Sequence, residues 1–412
     1  MALRSASPPC SSATPHQQRR TQCFHAVTVL YRSSVRAFAY VTAAVLVAIG
    51  IGVGALQISA GPSAIHAGSA SAWTVSYRSS SGRLTAVQCP TSTDCYSVEE
   101  HILSNHLRLL HSENDGETWN TVSVPLGFTV RGSAFQAVLA CPIVNSCVLA
   151  VGQPGPKPSS LVTKVMWTTD GGASWRLQVL GGGLIPEALA CGSAEACVLL
   201  GVSESSLQGF VTTDAGTKWQ QPLGLPGVGG PASVWCGTHG LCLAGWSLIG
   251  RGALSVSTDG GLRWHQPVVP GEAESDELDF DGTFCDQRAP RVTCFASGSV
   301  ASPEGAVGEV VEASGNLDGR WHIALKMPGS FVSGVSGSCG PRTRRQCILA
   351  LDAPGILYSS TRSGTKWRRL AALPRSDQPA TDLSCDRSPG GSCWMTTGLF
   401  GDRGPYLILR RG

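Results

Sequence analysis

Fourteen cysteines of this chain fall into seven close pairs, and no other feature restricts the fold as much. The pairs are Cys89/Cys95, Cys141/Cys147, Cys191/Cys197, Cys236/Cys242, Cys285/Cys294, Cys339/Cys347 and Cys385/Cys393. They recur about every 45–55 residues, the period of a repeat array such as a β-propeller. Apolar, strand-forming text leads into each pair and out again, as in Val138-Leu-Ala-Cys141 and Cys147-Val-Leu-Ala-Val-Gly152. Between the partners lies a short run such as Pro90-Thr-Ser-Thr-Asp94, often rich in Pro, Ser, Asp or Gly. This predicts two antiparallel strands joined by a turn, with the cysteines next to the turn. Opposed Cα atoms in such a ladder are about 4.5–5.5 Å apart, within reach of a disulfide. Paired cysteines also build zinc sites, but those need a second pair or histidines close by, and the 9 histidines follow no repeat. Seven disulfides are expected, and no metal ligand is assigned.

A second text repeats in step with the first. Val165-Met-Trp-Thr-Thr-Asp-Gly-Gly-Ala-Ser-Trp175 recurs as Phe210-Val-Thr-Thr-Asp-Ala-Gly-Thr-Lys-Trp219 and Leu254-Ser-Val-Ser-Thr-Asp-Gly-Gly-Leu-Arg-Trp264, with looser copies ending at Trp119, Trp321 and Trp367. Each reads as a strand, a tight turn and a second strand opening on tryptophan. With the cysteine hairpin this makes four strands, A to D. In the first repeat they are 85–89, 95–99, 107–111 and 118–124, one blade of a propeller. Six such tryptophans serve seven cysteine pairs, because the chain ends after the third strand of the last repeat, Tyr406-Leu-Ile-Leu-Arg410. The stretch Ala72-Trp-Thr-Val-Ser-Tyr77 supplies the missing strand. The fold expected is an all-β, seven-bladed β-propeller over residues 72–412, its N-terminal strand closing the ring and removing exposed edges.

The pattern Ser/Thr-x-Asp-x-Gly-x-x-Trp resembles the Asp-box, or BNR, repeat of sialidases, sortilin-type receptors, some glucan hydrolases and photosystem II assembly factors. Strict copies are Thr168/Asp170/Gly172/Trp175, Thr212/Asp214/Gly216/Trp219 and Ser257/Asp259/Gly261/Trp264; Ser112/Asn114/Gly116/Trp119 is a near copy. Ser314/Asn316/Trp321 carries Asp318 where glycine is expected, and Ser360/Gly364/Trp367 carries Arg362 in the acidic position. A carboxylate in a turn accepts backbone N–H groups and glycine takes positive φ, so Asn114, Asp170, Asp214 and Asp259 are expected to be structural. These C–D turns share an end of the ring with the cysteine turns. Binding is expected at the other end, on the B–C and D–A loops.

Ahead of the repeats, residues 1–36 carry Arg4, Arg19, Arg20, Arg32 and Arg36 and no acidic residue, and 37–58 are almost wholly apolar. A bilayer core takes about 20 apolar residues in a helix, and upstream positive charge holds an N-terminus in the cytoplasm. The reading is a cytoplasmic basic tail (1–36), a transmembrane signal-anchor helix (37–58), a linker (59–71) and an extracellular or periplasmic propeller. A signal peptide cut after Ala60 or Ala67 is the competing reading, although its apolar core is usually only about 7–15 residues. Gly50 and Gly54 stand at helix-pairing spacing.

A net charge of +3 gives no nucleic-acid footprint. Sialidase-type chemistry calls for an arginine trio and a tyrosine nucleophile, and beyond the apolar span only Tyr77, Tyr96, Tyr358 and Tyr406 exist. Glu272, Glu274, Asp276, Glu277, Asp279 and Asp281 form an acidic stretch in a D–A loop, solvated or cation-binding; Asp279-Phe-Asp281-Gly282 has some likeness to a calcium loop. Arg342, Arg344 and Arg345 sit in a cysteine turn, with Arg368 and Arg369 after Trp367. No catalytic residue or cofactor is assigned. The expected role is binding of a protein or glycan partner at the loop end, with a glycoside hydrolase in the central cleft as the alternative.

Overall fold

The structure is a computed structural model. It describes residues 73–411 except 81, 102–105, 126–135, 156–159, 204–205, 228, 249–250, 268–278, 288–291, 301–306, 316, 329–335, 340–346, 351–356, 362–365, 371–379, 387–391 and 398–405. The basic tail, the apolar span, the linker, Glu272 to Glu277 and Arg342 to Arg345 therefore lie outside the described residues. Among the described residues no helix is long and apolar enough to cross a membrane.

The chain opens with β1 (Thr74–Ser79). Blade 1 is β2 (Arg83–Gln88), β3 (Cys95–His101), β4 (His106–Ser112) and β5 (Asn120–Val122); blade 2 is β6 (Gln136–Ile143), β7 (Ser146–Pro154), β8 (Leu161–Thr168) and β9 (Arg176–Leu180). Blade 3 is β10 (Ile185–Cys191), β11 (Cys197–Ser203) and β12 (Ser206–Thr212); blade 4 is β13 (Gly230–Cys236), β14 (Cys242–Leu248) and β15 (Arg251–Ser257). Blade 5 is β16 (Asp279–Asp286), β17 (Thr293–Val300), β18 (Val307–Ser314) and β19 (His322–Pro328); blade 6 is β20 (Ser336–Cys339), β21 (Cys347–Ala350), β22 (Leu357–Thr361) and β23 (Lys366–Arg369). Blade 7 is β24 (Ala380–Cys385), β25 (Cys393–Thr397) and β26 (Tyr406–Arg411), and its fourth strand is β1.

That last pairing is the expected closure. β1 runs antiparallel to β26 from Thr74↔Arg410 to Ser79↔Tyr406. The innermost strands touch in a closed circuit, β2, β6, β10, β13, β16, β20, β24 and back to β2. The structure is a seven-bladed β-propeller.

Blades 3 and 4 depart from the expected pattern. Their fourth strands, predicted to open at Trp219 and Trp264, are reduced to the single bridges Val211↔Gln220 and Val256↔His265. Proline follows in both, Pro222 and Pro267, and without an N–H it cannot carry a ladder onward. Leu223 instead bridges to Arg263 of the next blade, with Leu223 N donating to Leu262 O at 2.8 Å.

All seven disulfides are formed: Cys89–Cys95, Cys141–Cys147, Cys191–Cys197, Cys236–Cys242, Cys285–Cys294, Cys339–Cys347 and Cys385–Cys393, with Cα–Cα distances from 3.9 Å to 4.2 Å. In blades 3 to 7 the two cysteines are direct cross-strand partners. Cys294 requires a correction to the expected hairpin, in which the cysteines adjoin the turn. In blade 5 the ladder runs one pair beyond Cys285↔Cys294, to Asp286↔Thr293, so Cys294 is the second residue of β17 and not the first. The reason is the longer spacer, a separation of 9 against 6 in blades 1 to 4, which leaves room for another pair before the chain turns. Cys294 is fully buried and packs with Leu243 of blade 4 and with Val311 and Trp321 of its own blade. Blade 2 also carries its ladder past the disulfide, at Ile143↔Ser146, and there Asn145 takes the left-handed φ of 60° that so tight a turn demands.

The hydrophobic core is divided in the same way as the ring: seven clusters, each drawn from two neighbouring blades. Leu84, Val87 and Leu110 of blade 1 pack on Trp394 and Ile408 of blade 7, for example, and Trp73 packs with Ile348 and Leu357 of blade 6 and Leu409 of blade 7. A blade buries its faces only against its neighbours, as stacked repeats must.

Candidate functional site

The ring has two ends with different chemistry. The end bearing the A–B and C–D turns holds the residues the sequence singles out, and hydrogen bonds occupy them. In blade 2 the Thr168 hydroxyl donates to Asp170 Oδ1 at 2.8 Å and accepts the Gly172 N–H at 2.8 Å, while Asp170 Oδ1 accepts the Ser174 N–H at 2.9 Å. Blades 3 and 4 repeat this with Thr212, Asp214, Gly216 and Lys218 and with Ser257, Asp259, Gly261 and Arg263. Blade 1 uses Asn114, whose Oδ1 accepts the Thr118 N–H at 2.9 Å. Donors from Ser174 and Thr168 hold the Asp170 carboxyl down at about 2, and the Lys218 N–H acts first on Asp214, lowering it too. Such a carboxylate is an anchor for a turn and a poor proton donor or base.

In blades 2, 3 and 4 the C–D turn also ties to the A–B turn of its own blade. Gly171, Ala215 and Gly260 donate N–H groups to the carbonyls of Asn145, Glu195 and Gly240. The tryptophans lie alongside: Trp175 and Trp264 donate Nε1–H to the carbonyls of Gly172 and Gly261, at 3.1 Å and 2.7 Å. Trp119 donates to Ser76 of β1 at 2.9 Å, across the blade 7–blade 1 junction. Trp219 makes no such bond.

At this end Asp94 carries a buried strut between blades. Its Oδ1 lies 2.7 Å from His111 Nε2 and its Oδ2 accepts the Asn145 N–H at 3.0 Å. The His111 ring stacks on Tyr96 at 4.2 Å. Burial first, and Asp94 next, push the Tyr96 hydroxyl far up. Asp286 lies beside Cys339 and Cys347, but their sulfurs are bonded to each other and offer no thiolate to a metal. The same holds one blade back for Cys285 and Cys294, whose sulfurs are joined beside Asp286 in sequence. A shallow cleft of about 300 Å³ between the A–B turns of blades 3 and 4 is lined by Gly192, Ser193, Gly237, Thr238 and His239.

The loop end carries a cluster that the sequence did not reveal. It gathers at the top of blade 1, where β2, β3 and β4 bring Arg83, Glu99, Glu100, His101, His106 and Arg108 into register. Glu99 and Glu100 are each only 2% exposed. Arg83 Nη2 donates to Glu100 Oε2 at 2.7 Å, and Glu100 Oε1 accepts the Ala137 N–H of blade 2 at 3.3 Å. Burial raises the Glu100 carboxyl, with Arg83 and the Ala137 N–H pulling against it. Glu99 points the other way, since side chains alternate along a strand. Its Oε2 lies 3.1 Å from His101 Nε2 and 3.7 Å from Arg108 Nη1. Its methylenes fill the space where a Cβ on Gly82 would stand, 2.3 Å away. Tyr77 of β1 joins from blade 7, its hydroxyl raised by burial and then by the Glu99 carboxylate, with Arg108 opposing.

The two carboxylates therefore face opposite junctions, each matched to a cation. Hydrolysis of a glycosidic bond uses two carboxyl groups facing one another across the bond, which this cluster does not offer. Arg108, with its side chain 54% exposed, and exposed His106 stand above the buried layer. Of the acidic stretch, Asp279 and Asp281 lie in β16 and not in a loop, as the sequence had suggested. That segment pairs along its length with β17, and Asp281 sits at the register shift between Phe280 and Gly282. Tyr358 packs in the core between blades 5 and 6.

No family model matches the chain, and no curated protein does. Among solved structures the chain is similar to YCF48 bound to a D1 peptide: 16% identity, TM-score 0.56, with 82% of this chain and 96% of that one covered. YCF48 from Cyanidioschyzon merolae gives 15% identity and TM-score 0.56 over 82% and 98%. A prolyl endopeptidase gives 15% and 0.52, over 82% of this chain and 47% of its own. Likeness at this identity is a likeness of fold, and it agrees with the propeller described above.

Proposed function

We propose that the protein is a membrane-anchored, extracytoplasmic propeller that binds a protein partner at its loop end and performs no chemistry of its own. Residues 37–58 serve as the anchor, with 1–36 in the cytoplasm, and the repeated turns are Asp-boxes that hold the blades. The observation that carries the binding reading is the cluster on blade 1. Buried Glu99 lies 3.7 Å from Arg108 at the surface, with exposed His106 two residues along the same strand, a charged platform suited to recognition, while Glu99 and Glu100 face opposite junctions and do not converge on one bond. The likeness to YCF48, solved with a peptide bound, supports a polypeptide partner over a glycan.

The test is affinity capture on the full-length chain in detergent, beside its Arg108→Glu variant, with a glycan array in parallel. A saturable protein partner lost in the variant supports the reading. Turnover of an arrayed glycan, or a partner that binds chain and variant equally, refutes it.

A further inference from the structure

Charge in the propeller is sorted into two blocks of opposite sign. From β20 to β23, residues 336–369 carry one carboxylate, Asp352, beside Arg342, Arg344, Arg345, Arg362 and the cations of β23. In the stretch leading into blade 5, residues 268–287 carry no Lys or Arg, and the acidic run from Glu272 to Asp281 lies within it. The whole chain has a net charge of only +3, so these blocks stand out against a nearly balanced remainder.

The basic block shows itself on β23, the outermost strand of blade 6. Lys366, Arg368 and Arg369 are exposed there, and the described part of blade 6 contains no Asp or Glu to match them. The other outer strands differ. β5 has no Lys or Arg, β1 and β9 have Arg78 and Arg176 alone, and on β19 Lys326 Nζ lies 3.1 Å from Glu309 Oε1. The edge of β23 is also open. Leu370 N–H donates to Leu357 O at 2.8 Å, so by alternation the backbone N–H and C=O of Trp367 and Arg369 point away from β22, and no strand follows β23 in its sheet. Such an edge accepts an extended segment, and cations along it select an acidic one.

The acidic block has the matching period. Glu272, Glu274 and Asp276 alternate with Ala273 and Ser275, so in an extended segment their carboxylates share one face, as the side chains of Lys366 and Arg368 do on β23. Glu277 falls on the opposite face, as Arg369 does. Within one chain the segment starts beyond Pro267, past the single bridge of blade 4, and ends at Asp279 in the innermost strand of blade 5. Blade 5 therefore stands between it and β23. A second copy offers the same edge without that obstruction, and two copies about a two-fold axis make the contact twice.

We propose that residues 272–277 of one copy add to the edge of β23 in a second copy, as a fifth strand of its blade 6. Glu272, Glu274 and Asp276 meet Lys366 and Arg368, and Glu277 meets Arg369. The contact lies on the rim and does not depend on the blade 1 cluster.

Sedimentation velocity of the full-length chain in detergent, over a concentration series, tests this. At low salt the parent associates; at about 1 M salt, where the screening length falls to about 3 Å, it is monomeric. Each exposed ion pair contributes up to about five-fold, so Lys366→Gln, Arg368→Gln and Arg369→Gln together weaken association by up to about a hundred-fold. Two reversed chains identify the partner. One carries Lys366→Glu, Arg368→Glu and Arg369→Glu; the other carries Glu272→Lys, Glu274→Lys, Asp276→Lys and Glu277→Lys. Each alone melts with the parent and is monomeric at low salt, because its segment and its edge now share one sign. Mixed in equal amounts they associate, since each supplies the sign the other has lost. A parent that is monomeric at low salt overturns the proposal, as does undiminished association in the Gln chain or in either reversed chain. A mixture of the two folded reversed chains that stays monomeric overturns it too.

Discussion

Two adjacent glycines in the C–D turn of blade 4 allow a sharp test of what holds one blade to the next. Gly260 and Gly261 have similar positive φ, 78° and 92°, so alanine at either meets the same backbone penalty, about 1–2 kcal/mol. Their surroundings differ. A Cβ on Gly260 meets nothing within 4 Å, whereas one on Gly261 stands 2.3 Å from Val198 Cγ2 of blade 3 and 3.5 Å from Val211 Cγ2. Val198 is 1% exposed and Val211 fully buried, so neither methyl can swing away, and overpacking adds about 1–3 kcal/mol. Gly260→Ala should thus cost about 1–2 kcal/mol and Gly261→Ala about 2–5 kcal/mol. The chain already contains the control. The position of Gly260 is filled by Asp115 in blade 1 and Ala215 in blade 3, at φ 61° and 55°, while the position of Gly261 is glycine in all four of the regular turns, at 116, 172, 216 and 261. Equilibrium urea unfolding of the two variants reads the difference directly. Equal losses, or a greater loss at 260, would refute the claim that this glycine is demanded by the neighbouring blade as well as by its own turn.

Other consequences can be checked with similar means. Arg83→Ala leaves Glu100 buried without its cation and should cost about 3–5 kcal/mol at pH 8. Because the Glu100 carboxyl is raised in the folded state, that loss should shrink as pH falls through its folded value and the group becomes neutral; a pH-independent loss in denaturation at pH 8 and pH 5 counts against the pairing. Removing one disulfide by Cys141→Ser with Cys147→Ser opens a loop of separation 6 and should lower stability by at least about 2 kcal/mol, seen in the urea midpoint. Deleting residues 73–79 uncovers the edge of β26, with buried Leu407, Ile408 and Leu409, and should produce self-association by light scattering; a monomer with unchanged melting would argue against closure by β1.

The architecture was legible because covalent and turn chemistry repeat where packing cannot show itself. Cysteine pairs mark each A–B hairpin and tryptophans each C–D hairpin, and the surplus of one pair over six tryptophans points to Trp73. Strand lengths were less legible. Gln220 and His265 follow their tryptophans as in other blades, and only the prolines at 222 and 267 signal that pairing stops after one bridge. At Cys294 the error runs the other way, since a cysteine marks where two strands are joined but not where their ladder ends. The charged cluster was hidden for a different reason. Glu99 and Glu100 sit side by side in text that reads as a strand with one wet face, yet β3 is buried along its whole length. Their partners come from β2, β4 and the next blade, so the compensation of charge exists only after cross-strand register is fixed.

The closure by β1 also sets an order of events in synthesis. Thr74 and Arg410 are hydrogen-bonded across 336 residues, so the first strand of the ring must wait for the strand that closes it. No ring exists until β26 has been made. Each disulfide, by contrast, spans only 6 to 9 residues and can form as soon as its hairpin has emerged. Oxidation of this protein can therefore proceed blade by blade, in chain order, with little opportunity for mispairing, and ring closure comes as a final step that covalent assembly does not have to await.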